Sequence, residues 1–342
     1  MTVRFLTSWN GYSAGDRATL GSTLEASLIS GGLARAYYVQ DAPVIAYPPN
    51  ADYAAAVVGA AGGLIGPSST FAALPAAADN AGNTYRVTDI GKPGCGTLWI
   101  SDGTRWLPLN GRAQCMRSTI PFVLPASGSV GNNGALTLGV ALDRTYARCY
   151  MYFPANAIFS GSSAGWYWTV MSSTTAGVIY NNKYTSGYPE IPTTAGFTTT
   201  GPGAFTSAAG SDLAALSFTL PPNAVSIFGG MQSRLSMTAG GAGGTKTGKA
   251  FFGASPVHVT TIASANNFAN GFGGFAADGN SAVIKVTHPE QSTGYTNGVS
   301  YSPPSLSNDI TLEKTVSATL KTSAAATDWV VLQECEIEII GG

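Results

Sequence analysis

"DWVVLQECEIEII", residues 328–340, alternates with a period of two: Trp329, Val331, Cys335, Ile337 and Ile339 fall on one side, and Glu334, Glu336 and Glu338 on the other. That pattern predicts an antiparallel strand with one face on a core and one face in water. Upstream, "GALTLGVAL", "ARCYMYF", "GWYWTVM", "GVIYNN", "LAALSFTL", "SRLSMTA", "KAFFGA", "HVTTIA", "SAVIKVTH" and "ITLEKTVSATL" read as further short strands punctuated by Gly, Pro and Asn turns. The expected fold is therefore mainly β, with an antiparallel β-sandwich of jelly-roll type over residues 118–342. No repeat of fixed period runs through the chain, which argues against a β-helix or a propeller.

Composition agrees with many strands and many turns. Of 342 residues, 43 are Gly and 19 are Pro, and only 10% are charged, against about 25% in ordinary soluble domains. Hydroxyl, amide and backbone groups must then cover the surface. A net charge of −1 excludes the basic footprint that nucleic-acid binding needs. The most apolar run, Tyr53 to Gly66, is interrupted by four glycines and is shorter than the roughly 20 residues that span a bilayer. Membrane insertion is not expected, and the polar turn after "MTVRFLTSW" leaves no signal-peptide core. The expectation is synthesis and assembly in a cytoplasm. Cys95, Cys115, Cys149 and Cys335 form no C-x-x-C pair, so they predict free, mostly buried thiols rather than a zinc site.

Four segments follow from the punctuation. Residues 1–40 form a small α+β module. Its helix is expected to start at a capping box of Ser22 and Glu25, to place Leu24, Leu28 and Ile29 on one face, and to stop at Gly31-Gly32. Residues 41–75 are an Ala/Gly/Pro-rich connector, read either as a stem where identical chains approach closely or as an apolar linker lying on a domain. Residues 76–117 form a β-meander in which "SDGT" is a hairpin turn and Trp99 and Trp106 lie on neighbouring strands. The remainder is the sandwich.

Candidate chemistry is thin. "GGAGGTKTGKAFF", residues 240–252, approaches a phosphate-binding loop, but Ala250 stands where Ser or Thr should hold magnesium, and strand-like sequence follows instead of a helix. "GSSAG" at Ser163 matches a nucleophile elbow, yet "WYWTVMS" continues as a strand, and only His258 and His288 are available as bases. The acids are scattered through turns, apart from the wet face of the last strand, where Glu334, Glu336 and Glu338 would line an ion site only if copies met around an axis. No metal, cofactor or catalytic site is expected, and the chain is read as non-enzymatic. Trp166 and Trp168 should face the core and Tyr167 the other side. Tyr180, Tyr184 and Tyr188 sit among Asn, Ser, Thr and Gly; they read first as ordinary structural tyrosines, and second as exposed rings of the kind that hold sugars or proteins.

Three stretches carry a resemblance. "VRFLTSWNGYSAGDRATLGSTLEASLISGGLARAY", "TYRVTDIG" with "GTLWISDGTRWLPLNGR", and "GNNGALTL" with "YMYFPANAIF" and "AGWYWTVMSSTTAGVIYNNKYTSG" resemble modules of tailed-bacteriophage virion appendages, the head and tail fibre proteins. The likeness covers most of residues 3–187. It implies a homotrimer, assembled in the bacterial host cytoplasm and carried on the virion. Its N-terminal module would anchor to capsid or tail proteins, with Phe5, Trp9, Tyr12, Leu28 and Ile29 as anchoring candidates. Tyr53, Val57, Val58, Leu64 and Ile65 would be the trimer stem, and the distal β domain would meet the host, with Tyr180, Tyr184 and Tyr188 as contacts for a bacterial surface glycan. A capsid decoration protein without receptor binding is the alternative. A capsular polysaccharide depolymerase would call for a β-helical repeat and a carboxylate cluster that the sequence lacks.

Overall fold

The computed structural model describes residues 2–18, 20, 22–37, 67–131, 134–138, 146–171, 177–184, 188–189, 203–208, 210–241, 244–263, 267–291, 305–322 and 327–341. The chain divides into two compact units, Met1–Gly66 and Pro67–Gly342. It is mainly β, with a single α-helix among the described residues.

In the first unit, Thr2–Phe5 pairs antiparallel with Arg17–Ala18 on one side and Ala34–Tyr37 on the other, and the helix Ser22–Ser30 closes over Val3, Phe5, Leu28 and Ala34. Helix entry differs from the expected capping box. Ser22 is already helical, and Glu25, fully buried, reaches back past it to accept the Leu20 N–H at 2.9 Å. Leu24 is 42% exposed, so the inward stripe is Glu25, Leu28 and Ile29 and does not include Leu24. The helix ends as the sequence predicts. Gly32 takes a φ of +69°, its N–H bonds to the Ile29 carbonyl and the Leu33 N–H to the Leu28 carbonyl, which together satisfy two of the terminal carbonyls.

The second unit is a β-sandwich. The larger sheet runs in the order Gly177–Lys183, Gly165–Met171, Tyr146–Phe153, Phe122–Leu124, Trp329–Ile340, Gly230–Gly240, Asn267–Ala276, Val283–Val286, Ser305–Ser307, and Arg112–Ser118 pairs with the second half of Trp329–Ile340. The facing sheet runs Leu213–Leu220, Lys314–Thr322, Lys246–Phe252, Ser255–Ile262, His288–Gln291. Pairing in these two sheets is antiparallel except between Phe122–Leu124 and Tyr146–Phe153, and between Ser255–Ile262 and His288–Gln291. Between them lies the main core, built on Phe122, Trp166, Trp168, Phe252, Phe275, Leu320 and Ile337 among others. At one end, three short strands, Gly128–Val130, Leu136–Leu138 and Ala204–Phe205, cover the outer face of the larger sheet and make a second core with Val123, Met151, Phe153, Tyr167 and Ile179. Trp166 and Trp168 thus face one core and Tyr167 the other. The alternation is as expected, but both faces are dry.

The terminal strand serves both cores. Met237 pairs with Leu332 and Ser236 with Glu334, leaving Gln333 as a bulge whose amide donates to the Thr238 hydroxyl at 2.9 Å. A bulge inserts one residue and reverses which face later side chains take. Val330 and Leu332 therefore join Cys335, Ile337 and Ile339 in the main core, whereas Trp329 and Val331 turn to the second core. Strict alternation had put Trp329 and Val331 with Cys335. The bulge corrects that reading.

Residues 67–110 form a four-stranded sheet whose bounds differ from the expected 76–117: Ser68–Ser69, from the expected connector, joins it parallel to Thr84–Val87, and Arg112–Ser118 belongs to the larger sandwich sheet. Ser68–Ser69, Thr84–Val87, Thr97–Ser101 and Trp106–Pro108 pair in sequence, and Val87, Ile90 and Trp99 are buried in the same core as the sandwich. Trp99 meets Phe71 edge-on with centroids 4.9 Å apart, and the Trp106 indole donates to the Pro75 carbonyl at 2.9 Å. The "SDGT" turn is held by Asp102, whose Oδ1 accepts from the Thr104 N–H, the Thr104 hydroxyl and the Arg105 N–H at 2.7, 2.6 and 2.8 Å. These bonds, Thr104 foremost, bring its carboxyl down to about 2.

The glycine-rich segment at 240–252 has a packing task. Gly241 takes a φ of +108°, and a Cβ there would come within 2.6 Å of Asp328 Oδ1 and 2.3 Å of the Thr327 carbonyl. The backbone hugs Asp328 because Lys246, fully buried, is ion-paired with that carboxylate at 3.2 Å, itself fully buried. Gly248 leaves room for Met237 from the opposite sheet, whose sulfur would otherwise sit 2.2 Å from a Cβ. Lys249, the lysine of the apparent phosphate motif, instead pairs with Asp212 at 2.9 Å.

Two outcomes follow. Lys246→Met strands the Asp328 carboxylate in the interior and should lower the unfolding free energy by about 3–5 kcal/mol in urea titrations, while Lys246→Met with Asp328→Leu should recover most of it. The contribution of Asp102, whose folded pKa lies below its unfolded value, should persist above the ordinary aspartate range and vanish as pH falls through about 2. An NMR titration of its carboxyl carbon reads this directly, and a midpoint near the ordinary aspartate value would contradict the turn geometry.

Candidate functional site

The outer face of the larger sheet is covered at one end by the second core and open at the other. Four neighbouring strands build the open part: Arg112–Ser118, Trp329–Ile340, Gly230–Gly240 and Asn267–Ala276. Register aligns their outward residues in rows. Gln114 lies opposite Glu338, which lies opposite Gln232; Arg117 lies opposite Glu336, then Arg234, then Phe272. Arg112 reaches Glu338 at 3.0 Å and Gln232 at 3.1 Å, and Gln114 donates to Glu336 at 2.5 Å. Glu334 sits 3.9 Å from Arg117 and 4.0 Å from Arg234. The three glutamates expected on a wet face are there, each tied to cationic or amide neighbours. Pairs this exposed contribute about 0–1 kcal/mol each, so they order the face more than they stabilise the fold.

Beyond the charged rows the face turns aromatic. Phe268 and Phe272 are 56% and 44% exposed, and Phe228, in the loop before Gly230, is 61% exposed. Arg234 lies over the Phe272 ring at 5.5 Å and Arg105 over the Phe228 ring at 5.3 Å. Phe228 and Phe272 flank a cleft of about 300 Å³ whose walls include Gly229, Gly230, Gln232, Gly273 and Thr287. Sequence reading missed the strand Asn267–Ala276 because "NFANGFGGFA" is rich in Asn and Gly, poor strand formers. Its signal was the phenylalanine spacing, Phe268 and Phe272 outward with Phe275 inward.

Those glycines answer a contact on the inner side. Cβ atoms at Gly271 and Gly273 would fall 2.6 Å from the His258 ring. His258 is fully buried; its Nδ1 and Nε2 lie 2.9 Å from the Ser233 and Thr260 hydroxyls, and Ser233 donates on to the Gly273 carbonyl at 3.1 Å. With its own proton on the Gly273 carbonyl, the Ser233 hydroxyl is left to accept from Nδ1, and Nε2 meets the Thr260 hydroxyl, so both ring nitrogens are hydrogen-bonded. The pair has the atoms of a nucleophile and its base, but Ser233 is 1% exposed and a hydroxyl occupies the place of an orienting acid. Ser163 is far from such an arrangement in kind: the strand Gly165–Met171 follows it, and its carbonyl accepts from the Tyr167 hydroxyl at 2.8 Å.

The other sequence candidates fall as follows. Tyr184 is half-buried and packs edge-on against Phe122 and Tyr150, with centroids 5.2 and 5.4 Å away. The Tyr188 hydroxyl donates to the Cys115 carbonyl. Burial pushes both phenols up. These two rings are committed to the protein's own packing. Tyr180 lies in the strand Gly177–Lys183, with its side chain outside the described residues. Phe5 and Leu28 are core of the first unit, and Trp9, Tyr12 and Ile29 pack against it, Phe5 stacking on Tyr12 at 4.6 Å. Phe5 and Leu28 are thus committed to that core, Trp9, Tyr12 and Ile29 are half-buried against it, and Leu6 and Leu24 are the large exposed apolar side chains among the described residues of that unit. Tyr53, Val57, Val58, Leu64 and Ile65 lie outside the described residues. Cys115, Cys149 and Cys335 are buried free thiols and Cys95 is exposed; burial pushes the Cys115 thiol up to about 12. No group of three His, Cys, Asp or Glu side chains suited to a metal occurs among the described residues.

No protein-family model matches the chain, and no curated protein matches it. Among solved structures, it has a weak likeness to infectious bursal disease virus, Gt strain, with 12% identity over 76% of this chain and 70% of that one at a TM-score of 0.18. T=1 particles derived from infectious bursal virus give 11% identity over 75% and 72% at a TM-score of 0.16. Both are virus structures, and at such scores the likeness carries no argument about this chain.

Because Tyr184 fills a core aromatic cluster, Tyr184→Ala should lower stability by about 3–5 kcal/mol, whereas Tyr188→Phe should cost about 1 kcal/mol, one hydrogen bond. Chemical denaturation distinguishes them; equal and negligible effects would return both rings to the surface.

Proposed function

We propose that this chain is a structural virion protein, a homotrimeric fibre or spike borne on the head or tail of a phage particle, with its large β domain turned to the host. The observation that carries the proposal is the division into a small α+β unit with its own core and a large β-sandwich unit, in the order in which the sequence resembles appendage modules. Composition supports it. A surface built from hydroxyl and amide groups keeps its interactions at variable salt, because neutral hydrogen bonds are little screened. The role is non-enzymatic. The one described Ser–His contact is sealed between the sheets beneath Gly271 and Gly273, where no substrate reaches it. Host binding, if multivalent, tolerates weak single sites, since linked sites gain roughly 10²–10⁴ in avidity.

A second reading, a capsid decoration protein that binds no receptor, is favoured by one fact: Tyr184 and Tyr188, the sequence candidates for glycan contact, are spent on internal packing.

Electron cryomicroscopy of the intact particle together with binding of the purified full chain to host cells tests both. The proposal expects threefold density of this mass on the particle and saturable cell binding. Threefold density without cell binding selects the decoration reading, and absence of the chain from the particle refutes both.

A further inference from the structure

We infer that the open face of the larger sheet is a protomer–protomer interface, and that its occupant is a second copy of this chain. The inference rests on the homo-oligomer reading above and adds to it where the copies touch. The covered half of the same sheet face is dry, sealed by Gly128–Val130, Leu136–Leu138 and Ala204–Phe205. The open half keeps Phe228, Phe268 and Phe272 at 61%, 56% and 44% exposure, whereas the other aromatic side chains among the described residues are buried or half-buried. Exposed rings flanked by arginines are the composition of an interface centre.

The charges say which partner fits. Arg112, Arg117 and Arg234 balance Glu334, Glu336 and Glu338, so the face attracts neither a polyanion nor a polycation. It is instead complementary to itself. The aromatic strip runs along the strand Asn267–Ala276, and Arg112 and Arg117 project from Arg112–Ser118, at the other edge of the face with two strands between. In a closed ring the aromatic side of one copy meets the arginine side of the next, cation over ring and Glu row against Arg row. The open part spans four strands about 4.8 Å apart and ends where Thr238 and Val331 pass under the second core, so it is the part of the strand Gly230–Gly240 before Ser236 that is free to meet a neighbour.

The test uses the full chain. Sedimentation of the wild type should give an oligomer at micromolar concentration, and Phe268→Ser with Phe272→Ser should shift it to monomer while the urea-unfolding transition remains cooperative. Hydroxyl-radical footprinting gives an independent reading without substitution: Phe228, Phe268 and Phe272 should be protected in the oligomer. A wild-type monomer would overturn the homo-oligomer reading itself. A wild-type oligomer whose three phenylalanines stay reactive, or become protected only when bacterial cells are added, would overturn this interface and leave the oligomer standing.

Discussion

The last strand lies at the centre of the larger sheet, and the bulge at Gln333 lets it serve two cores. Before the bulge, Trp329 and Val331 seal the second core; after it, Cys335, Ile337 and Ile339 fill the main one. A regular twelve-residue strand would keep one set of side chains on one face throughout, and either the tryptophan or the isoleucines would be misplaced. Burying a side chain of this size contributes about 1.5–3 kcal/mol, so one inserted residue determines the placement of several such contributions. The same reversal leaves Glu334, Glu336 and Glu338 on the face that Trp329 shares, where the second core ends and the open face begins.

The sheets are held close by bare backbone. Gly248 receives Met237, and Gly271 and Gly273 receive His258. Glycine weakens a strand, yet at these positions any side chain would push the sheets apart. The buried polar groups are treated in the same manner. His258 is bonded at both nitrogens, and Lys246 meets Asp328 under Gly241. Paired groups of this kind, one hydrogen-bonded and one ion-paired, fix one packing arrangement, because any slip separates a buried polar atom or charge from its partner. A high glycine content in a rigid sandwich is therefore no contradiction.

The functional consequence is a division of labour across a single sheet. Its inner face and half of its outer face are closed by the chain itself, and the remaining outer face carries paired charges and exposed phenylalanines. The proposed contact between copies rests on that open surface, which carries paired charges and exposed phenylalanines. The buried tyrosines show the complementary point. The polar sequence neighbours of Tyr184 and Tyr188 allowed either structural rings or a binding loop, and their spatial neighbours, Phe122, Tyr150 and the Cys115 carbonyl, favour the structural reading.

Local patterns determined much of this. Period-two alternation located the strands Tyr146–Phe153, Gly165–Met171 and Lys314–Thr322 and assigned Trp166, Trp168 and Tyr167 to their faces; the "SDGT" turn and the Gly31-Gly32 helix stop were legible because turn chemistry acts within a few residues. Tertiary structure decided what depends on distant partners. It turned Trp329 away from Cys335 through a bulge, gave the glycines of the strand "NFANGFGGFA" the task of making room for His258, joined Lys246 to Asp328, and set Phe228 beside Arg105 and Phe272 beside Arg234. Alternation, turns and caps are encoded by residues a few positions apart. Register, burial and the sharing of a face are set by which strands become neighbours, and that is a property of the whole chain.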